Sequence, residues 1–267
     1  MPSQLGFFDT APEKELSVLL MAPTAHPRHN QSMLFLASAS PRRRELLAQA
    51  GFSFEVHPTT IPEDPHPNED PITYVTRLAR EKAQSVFREL TLASTAADML
   101  PLVKGTGFSP YVQTAKEPGA LAPEGVLSEI SPASENPSVF QASDTLAVLG
   151  ADTTVTLDNH ILGKPEDPAD AARILRLLSG RTHRVITGVA LVTAERTQVA
   201  AEVTAVKFLT LSEEEIAAYI ATGEPMDKAG AYAIQGRAAR WIPRIEGDYF
   251  NVVGLPIALV STMLEAR

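Results

Sequence analysis

Apolar and polar positions alternate along the chain with two different periods, and together they predict the order of strands and helices. The apolar run at 33–38 predicts a strand. A helix then begins near Pro41 and ends at Gly51, because proline suits the first helical position and glycine suits a left-handed residue after the last turn. A second helix is predicted from Asp70 to about Leu90, where apolar residues recur on one face.

The C-terminal half continues this alternation with a strand, a helix and a hairpin. Residues 146–157 predict a strand that is interrupted at 150–152, and residues 168–179 predict a helix. Two β-rich runs at 183–193 and 198–211 are long enough to pair as an antiparallel hairpin. Two more helices have start signals, a capping box at Ser212–Glu215 and the turn Gly254–Pro256. This order of elements predicts an α/β fold with a mixed sheet.

Two segments fall outside the regular pattern. Residues 1–32 mix Pro, His, Ser and Asn, and we expect a poorly ordered N-terminal extension before a domain at 33–267. Residues from about 91 to 147 are rich in Gly, Pro, Ser and Thr and lack any lasting periodicity. This stretch is predicted to be a low-complexity insertion that supplies no catalytic group. Its few apolar residues leave open the alternative that it folds over the site or packs on a partner.

Composition narrows the function classes. The 267 residues carry a net charge of −9, which argues against a general nucleic-acid binder because such a protein needs a broad basic surface. The chain has no cysteine, so disulfides, thiolate metal sites and thiol nucleophiles are excluded. No apolar run reaches the roughly 18 residues that cross a bilayer, and no signal peptide is recognisable. We therefore expect a cytoplasmic protein that binds neither membranes nor nucleic acid.

The junction between the first strand and the first helix carries hydroxyl and guanidinium groups. A helix N-terminus presents unpaired N–H groups at this junction, and Ser40 is suited to cap the helix. The hydroxyl and guanidinium groups placed there belong to Ser38, Ser40, Arg42, Arg43 and Arg44. Cations at this position oppose the helix dipole, so an anionic ligand such as a phosphate chain would relieve the conflict. The alternative is a solvated basic face, which the segment by itself does not exclude.

Charged side chains also stand at strand and loop positions that suit a metal or phosphate site. Asp152 lies within an apolar strand, and Glu63 and Asp64 follow an apolar run. One interpretation is a site for a hard cation such as Mg²⁺, and the other is a carboxylate that caps a turn. Lys164 is held between a glycine and a proline, yet an isolated lysine is usually solvated. His183 is a candidate acid or base, but without a nearby nucleophile motif a structural hydrogen bond is favoured.

A glycine-rich stretch at 223–236 has the composition of a ligand-lining loop. Its Asp227 and Lys228 are also suited to pairing with each other, and this structural interpretation is slightly favoured. Taken alone, the stretch does not decide between the two.

Taken together, these segments closely resemble the Maf family of nucleoside triphosphate pyrophosphatases, in the same order along the chain. The matching motifs are LASASPRRRELL at 36–47, RLAREKA at 77–83, GADTTV at 150–155, GKP at 163–165, LSGRTHRVITGVAL at 178–191, Y..TGEPMDKAGAYAIQG at 219–236 and NVVGLP at 251–256. The extension at 1–32 and the insertion within 91–147 depart from the family pattern.

The resemblance implies an enzyme of the cytoplasm with an elongated mixed β-sheet flanked by helices, in two lobes around a cleft, similar to inosine triphosphate pyrophosphatases. It implies hydrolysis of a nucleoside triphosphate to the monophosphate and diphosphate with Mg²⁺ or Mn²⁺, for nucleotide-pool sanitation. A homodimer is common among such relatives. The rival interpretation is a non-catalytic nucleotide sensor that regulates cell division or septum formation, and the intact acidic and basic positions argue against it.

Residue by residue, the resemblance assigns roles to most of the candidate positions. Asp152 corresponds to the proton acceptor, and Glu63 corresponds to a carboxylate of the metal site that Asp152 would share. Lys82 and Lys164 correspond to lysines around the phosphates. Two further positions correspond to phosphate contacts, namely Ser38 and Arg43.

Three positions distinguish the branches of the family, and here they resemble the branch that acts on dTTP and UTP. They are Arg42, Thr153 and Gln235, where a 7-methyl-GTP branch tends to carry Trp, Gln and Glu. The chemistry agrees, because a Gln amide accepts from the N3–H of uracil or thymine and donates to the adjacent carbonyl, whereas a carboxylate only accepts. Arg42 supplies further donors to pyrimidine carbonyls.

Overall fold

Seven strands form one mixed sheet and six α-helices pack around it in the computed structural model, which describes residues 33–98 and 146–266. The predicted N-terminal extension and most of the predicted insertion lie outside these described residues. In chain order the elements are β1 Leu34–Ala37, α1 Pro41–Gln49, β2 Glu55–Val56, α2 Pro71–Asp98, β3 Ala147–Leu157, β4 His160–Leu162, α3 Pro168–Leu178, β5 Thr182–Val192, β6 Thr197–Lys207, α4 Glu213–Ile220, β7 Arg244–Glu246, α5 Tyr249–Val253 and α6 Ile257–Glu265. This architecture confirms the predicted α/β fold class.

The sheet is parallel at one side and antiparallel at the other. Its strands lie in the order β2, β1, β3, β5, β6, β7, and β4 adds to β3 outside this path. β1 runs parallel to β2 and β3, whereas β5, β6 and β7 are antiparallel to their neighbours. The predicted hairpin is confirmed as β5 and β6. Asp158 and Asn159, both at positive φ, reverse the chain from β3 into β4.

The candidate site lies beside a stretch of strand β3 that has no strand partner along one edge. One edge of β3 pairs with β5 from Val148 to Thr156. The other edge pairs with β1 only as far as Gly150 and with β4 only from Val155 onward. Within the described part of the chain, residues 151–154 therefore have no strand beside them on that edge. The break falls at the C-terminal end of β1, which is the usual place for a ligand crevice in an α/β sheet.

Helix α2 lies very close to β3 and β5 because two glycines face it. A Cβ on Gly150 would overlap the Ala79 carbonyl, and a Cβ on Gly188 would overlap the Val75 carbonyl. Gly188 is also the register partner of Asp152 across β3 and β5. The two small residues therefore let α2 lie directly over the strand position that carries this acid.

Adding a methyl group at Gly188 is expected to push α2 away from the sheet. Gly188→Ala should lower the free energy of unfolding by about 2 kcal/mol or more, in the range of overpacked cores, as measured by urea denaturation. Gly163→Ala is the matched control for stability, because no atom lies within 4 Å of a Cβ built there. Equal stability of the two variants would contradict this account of the packing.

The core on the face of the sheet away from α2 is divided into two clusters. One contains Ala151 and packs β3 and β5 against α1 and α6, and the other contains Val155 and packs them against α3 and α4. Between these two positions β3 presents Thr153, which hydrogen-bonds the Thr187 hydroxyl of β5 at 2.9 Å. A polar interval thus separates two groups of helices, as the predicted two lobes around a cleft require. A third cluster fills the opposite face beneath α2.

The predicted boundaries are wrong in three places and right in most others. The second hairpin strand was predicted to extend to residue 211 but ends at Lys207, because its partner β5 begins at Thr182, directly opposite. β3 is continuous, so an interruption at 150–152 is not observed, because Gly150 serves the close contact with α2 rather than a break in the strand. α2 continues to Asp98, about two turns past the predicted end at Leu90. The capping box at Ser212 is confirmed at the start of α4, where side chain and backbone bonds are both present.

Candidate active site

One cavity of about 680 Å³ opens beside residues 151–154 of β3, where one edge of this continuous strand has no strand partner. It is lined by all nine residues that the sequence analysis assigned to catalysis, metal or substrate, namely Ser38, Arg42, Arg43, Glu63, Lys82, Asp152, Thr153, Lys164 and Gln235. These residues come from the end of β1, from α1, α2 and β3, and from three loops. Thr59, Tyr74 and Lys228 also line it, although the first two carried no sequence signal.

The centre of the cavity is an ammonium group held between two carboxylates. The Nζ of Lys82 lies 2.7 Å from Asp152 Oδ1 and 2.5 Å from Glu63 Oε1. Lys82 and Asp152 are buried, whereas the Glu63 side chain is 51% exposed. Desolvation raises the pKa of Glu63, but the hydrogen bond and charge of Lys82, with the charge of Lys164, hold it below its usual value. The Glu63 carboxylate is therefore charged at neutral pH in a partly desolvated site.

The loop that carries Glu63 is fastened to α2 by two side chains. The Tyr74 hydroxyl donates to the Glu63 carbonyl oxygen at 2.8 Å, and Arg77 Nη2 donates to the Asp64 carbonyl oxygen at 3.2 Å. Arg77 also forms a partly buried ion pair with Glu69, 2.7 Å from Nε to Oε1, and this hydrogen bond lowers the pKa of Glu69 to about 2. Tyr74 was signalled only by its place on the helix of Lys82, about two turns away, whereas Arg77 belongs to the matching motif at 77–83 without an assigned role.

Arg43 links helix α1 to the part of β3 whose edge has no strand partner. Its Nε donates to the Gly254 carbonyl oxygen at 2.8 Å, Nη1 to the Ala151 carbonyl oxygen at 2.9 Å and to Ser38 Oγ at 3.2 Å, and Nη2 to Thr153 Oγ1 at 2.9 Å. The guanidinium thus binds a β3 carbonyl that has no strand partner on that edge. Burial lowers the pKa of Arg43. Four of its five N–H donors are used within the protein, so a phosphate contact by Arg43 would rest on a single N–H.

The N-terminus of α1 opens toward the same cavity. Ser40 does not cap the helix with its side chain, so that expectation is wrong; its backbone N–H instead donates to Ser38 Oγ at 3.3 Å. Ser38 is thereby the local acceptor for both Ser40 and Arg43. The first N–H groups of an α-helix have no partner within the helix. With Arg42 beside them on the cavity wall, they form a positively polarised surface.

Two loops with lysines form another wall of the cavity. Gly230 N–H donates to the Gly163 carbonyl oxygen at 3.0 Å, which joins the loop of Lys164 to the loop of Lys228. Lys164 is exposed, and Lys228 pairs with Asp227, as the structural interpretation of that stretch expected. The glycine-rich stretch also lines the cavity, so its interpretation as a ligand-lining loop stays a prediction.

Arg42, Thr153 and Gln235 lie on the same cavity, but their side chains are held differently. Thr153 Oγ1 accepts from Arg43 and lies 2.9 Å from Thr187 Oγ1, so its orientation is set by the protein. Gln235 is exposed, and its side chain forms no hydrogen bond with another described residue. Its amide is therefore free to bind a ligand.

His183 lies outside the cavity wall, in an aromatic cluster. It is 1% exposed, its Nε2 lies 2.8 Å from the Tyr232 hydroxyl, and its ring packs edge-on against Phe208 and Tyr232. Tyr232 itself lines the cavity. These contacts agree with the structural role that the sequence analysis favoured over an acid or base.

Burial of His183 makes part of the stability depend on pH. Desolvation lowers its pKa from 6.5 to about 4, so the native state keeps it neutral while the unfolded chain takes up a proton below 6.5. The contribution of neutral, buried His183 to the free energy of unfolding is fully present above pH 6.5 and is lost as the pH falls toward 4. The free energy of unfolding should fall in both proteins as the pH is lowered from about 7.5 to about 4.5. The fall should be about 2.5 kcal/mol smaller in His183→Phe than in the wild type. Exposed His160→Phe is the control, and parallel pH profiles of wild type and His183→Phe would contradict the assignment.

The carboxylates suit a hard divalent cation only together with substrate oxygens. Across residues 33–98 and 146–266 no three acidic or histidine side chains converge as a metal-binding group. Mg²⁺ characteristically uses one or two carboxylates and completes its coordination with water and substrate phosphates. Glu63 and Asp152 approach the same Lys82 ammonium, so they meet at one cationic position. This donor set fits the predicted Mg²⁺ or Mn²⁺ as an ion bound with the substrate.

The chain is similar to known proteins over most of its length. The family described as Maf-like protein matches residues 33–267. A dTTP/UTP pyrophosphatase of Koribacter versatilis (strain Ellin345) is 44% identical over 238 residues, which are 89% of this chain and 96% of that protein. A dTTP/UTP pyrophosphatase of Moorella thermoacetica (strain ATCC 39073 / JCM 9320) is 43% identical over 235 residues, with 87% and 94% covered. One of Aromatoleum aromaticum (strain DSM 19018 / LMG 30748 / EbN1) is 40% identical over 245 residues, with 88% and 96% covered. On this evidence the chain belongs to the Maf family.

Proposed function

We propose that the protein hydrolyses dTTP, UTP and modified pyrimidine analogues of them to the nucleoside monophosphate and diphosphate. The observation that carries the proposal is the Asp152–Lys82–Glu63 group in a cavity that a helix N-terminus and Lys164 also line. Such a cavity combines a carboxylate that can accept a proton with cationic groups that can bind a triphosphate. The relatives named dTTP/UTP pyrophosphatase support the same reaction and substrate class.

In the proposed mechanism Asp152 accepts a proton from water as the water oxygen attacks the α-phosphorus. The bond from the α-phosphorus to the bridging oxygen breaks, and the diphosphate leaves with that oxygen. Lys82 and Lys164 neutralise charge on the triphosphate and on the transition state, which is the main electrostatic task in phosphoryl transfer. Ser38 and the remaining N–H of Arg43 are assigned to phosphate oxygens, while the other Arg43 donors keep the wall of the cavity in place.

Glu63 and Asp152 are the residues proposed to hold Mg²⁺ or Mn²⁺, together with phosphate oxygens of the substrate. When bound, the ion supplies charge neutralisation and polarises a phosphoryl oxygen. Lys82 is suited to hold the two carboxylates near each other before the ion and substrate arrive, because it already contacts both.

Base selection is assigned to Arg42, Thr153 and Gln235. The free amide of Gln235 can accept from the N3–H and donate to a carbonyl of uracil or thymine, and Arg42 adds a donor. Thr153 acts indirectly, because its hydroxyl orients the Arg43 guanidinium. A site built around these polar groups rejects a base that leaves them unpaired.

We further propose that this activity serves nucleotide-pool sanitation in the cytoplasm and that the enzyme forms a homodimer. In the described ranges no helix is long and apolar enough to cross a membrane. The net charge of −9 disfavours a nucleic-acid partner. We therefore assign the cationic groups of the cavity to binding a small anionic substrate. A non-catalytic sensor of cell division is disfavoured because the acidic and basic groups of the cavity are intact.

The products of dTTP hydrolysis in the presence of Mg²⁺ test the proposed function. The expected products are dTMP and diphosphate, separated by ion-exchange chromatography. Release of dTDP and orthophosphate would overturn the proposed cleavage position, and binding of dTTP without turnover would favour the sensor.

A further inference from the structure

The short segment that presents Gln235 is tied at both of its ends to two side chains outside the cavity. Ala233 N–H donates to the Tyr219 hydroxyl at 3.1 Å. Arg237 N–H donates to both carboxylate oxygens of Glu224, at 3.1 and 3.3 Å. Gln235 is the midpoint of this five-residue span, and neither Tyr219 nor Glu224 is part of the cavity wall.

The two anchoring side chains are joined to each other. The Tyr219 hydroxyl donates to Glu224 Oε1 at 2.8 Å while it accepts from the Ala233 N–H. Tyr219 is 3% exposed and packs edge-on against Trp241, with ring centroids 5.1 Å apart. Because the ring is fixed in the core, its hydroxyl is a rigid point to which the segment is attached.

Gly236 allows the segment to lie directly on the Glu224 carboxylate. A Cβ at this position would overlap Glu224 Oε1. Gly236 N–H also donates to the Ala233 carbonyl oxygen at 3.1 Å, which closes a tight turn around Gln235. The backbone of the turn is thus fixed from both sides, while the Gln235 side chain itself has no hydrogen-bond partner among the described residues.

We propose that Tyr219 and Glu224 form a positioning pair that sets base selectivity by holding the turn of Gln235 at a fixed distance from the opposite wall of the cavity. The inference rests on the proposed role of Gln235 in reading a pyrimidine. A purine is larger by one ring, so we expect this turn to move outward before a purine is accommodated. Hydrogen-bond recognition also requires the amide to be placed within a fraction of an ångström. Releasing the turn therefore reduces pyrimidine turnover and admits purines.

The test removes the hydroxyl without removing the ring. Tyr219→Phe keeps the packing on Trp241 and loses both hydrogen bonds of the hydroxyl, and Glu224→Ala removes the other anchor. Tyr249→Phe is the matched control, because Tyr249 is 40% exposed and lies outside the cavity wall. Two properties are measured for each full-length variant: amide hydrogen exchange in the peptide that spans 229–241, and the ratio of kcat/KM for dTTP to that for dATP.

We expect faster exchange in this peptide and about a tenfold lower dTTP to dATP ratio in both variants, with wild-type values in the control. In a Gln235→Ala background, Tyr219→Phe should change the ratio no further. Unchanged exchange would overturn the positioning pair directly. Faster exchange with an equal loss for both nucleotides would also overturn it, because that pattern indicates a general structural role. If Gln235→Ala alone leaves the ratio unchanged, the proposed base reading fails instead, and the pair has no role in selectivity.

Discussion

Asp152→Asn is expected to lower the turnover of dTTP by about a hundredfold or more, the loss typical of a positioned general base. Asparagine keeps the shape of the side chain and an oxygen that can accept from Lys82 Nζ, which lies 2.7 Å from the acid. It cannot take up the proton of the attacking water, and it weakens the proposed metal site by one negative charge. Initial rates at saturating dTTP and Mg²⁺ measure the effect.

Asp158→Asn is the control for this substitution. Asp158 lies in the exposed turn after β3 and pairs with Arg181 at 2.6 Å, outside the cavity. The control should keep near wild-type turnover, and thermal unfolding should confirm that Asp152→Asn is folded. If folded Asp152→Asn keeps more than about a tenth of wild-type activity, Asp152 is not the proton acceptor.

Gln235→Glu is expected to reduce kcat/KM for dTTP and UTP by about a hundredfold, with little change in stability. A carboxylate loses the N–H that donates to the pyrimidine carbonyl and brings a negative charge toward the bound nucleotide. Stability is expected to stay the same because the Gln235 side chain is exposed and has no hydrogen-bond partner in the described residues. Steady-state kinetics and a thermal melt measure the two quantities.

Gln49→Glu is the matched control, since it makes the same charge change at an exposed position outside the cavity. The triple exchange Arg42→Trp, Thr153→Gln and Gln235→Glu extends the test, and it should lower the ratio of dTTP to 7-methyl-GTP turnover. Unchanged kinetics in Gln235→Glu, or an unchanged ratio in the triple variant, would show that these positions do not read the base.

The order of elements and one wall of the cavity could be predicted because both rest on local signals. Helix starts at Pro41 and Ser212 and the turn at Asp158 follow from residue types that suit one backbone conformation. The junction of Ser38 with the arginines of α1 is local as well. The resemblance then supplied the partners that lie far away along the chain, such as Lys82 and Asp152.

The pairing within the site could not be predicted, because it depends on how far each strand extends beside β3. Arg43 was expected at a phosphate, yet most of its donors replace the missing strand neighbour of Ala151 and hold Gly254 and Thr153. That break is a property of strand register, which the apolar pattern does not record. Gly150 shows the same difficulty, because a glycine in a strand is compatible with either a break or a close helix contact.

The anchoring of loops was also beyond sequence reasoning. Tyr74, Tyr219 and Glu224 act through hydroxyl or carboxylate contacts to backbone groups of other segments. Such contacts have no spacing rule, since a side chain to backbone bond joins whichever segments packing brings together.

Hydrolysis of dTTP in ¹⁸O-enriched water is the most direct test of the central claim that water attacks the α-phosphorus in the cavity of Asp152. Mass spectrometry of the separated products locates the oxygen that comes from water. The account predicts the label in dTMP and none in the diphosphate after a single turnover. Label in the diphosphate would place the attack on the β-phosphorus and would contradict the mechanism, whatever the effects of the variants.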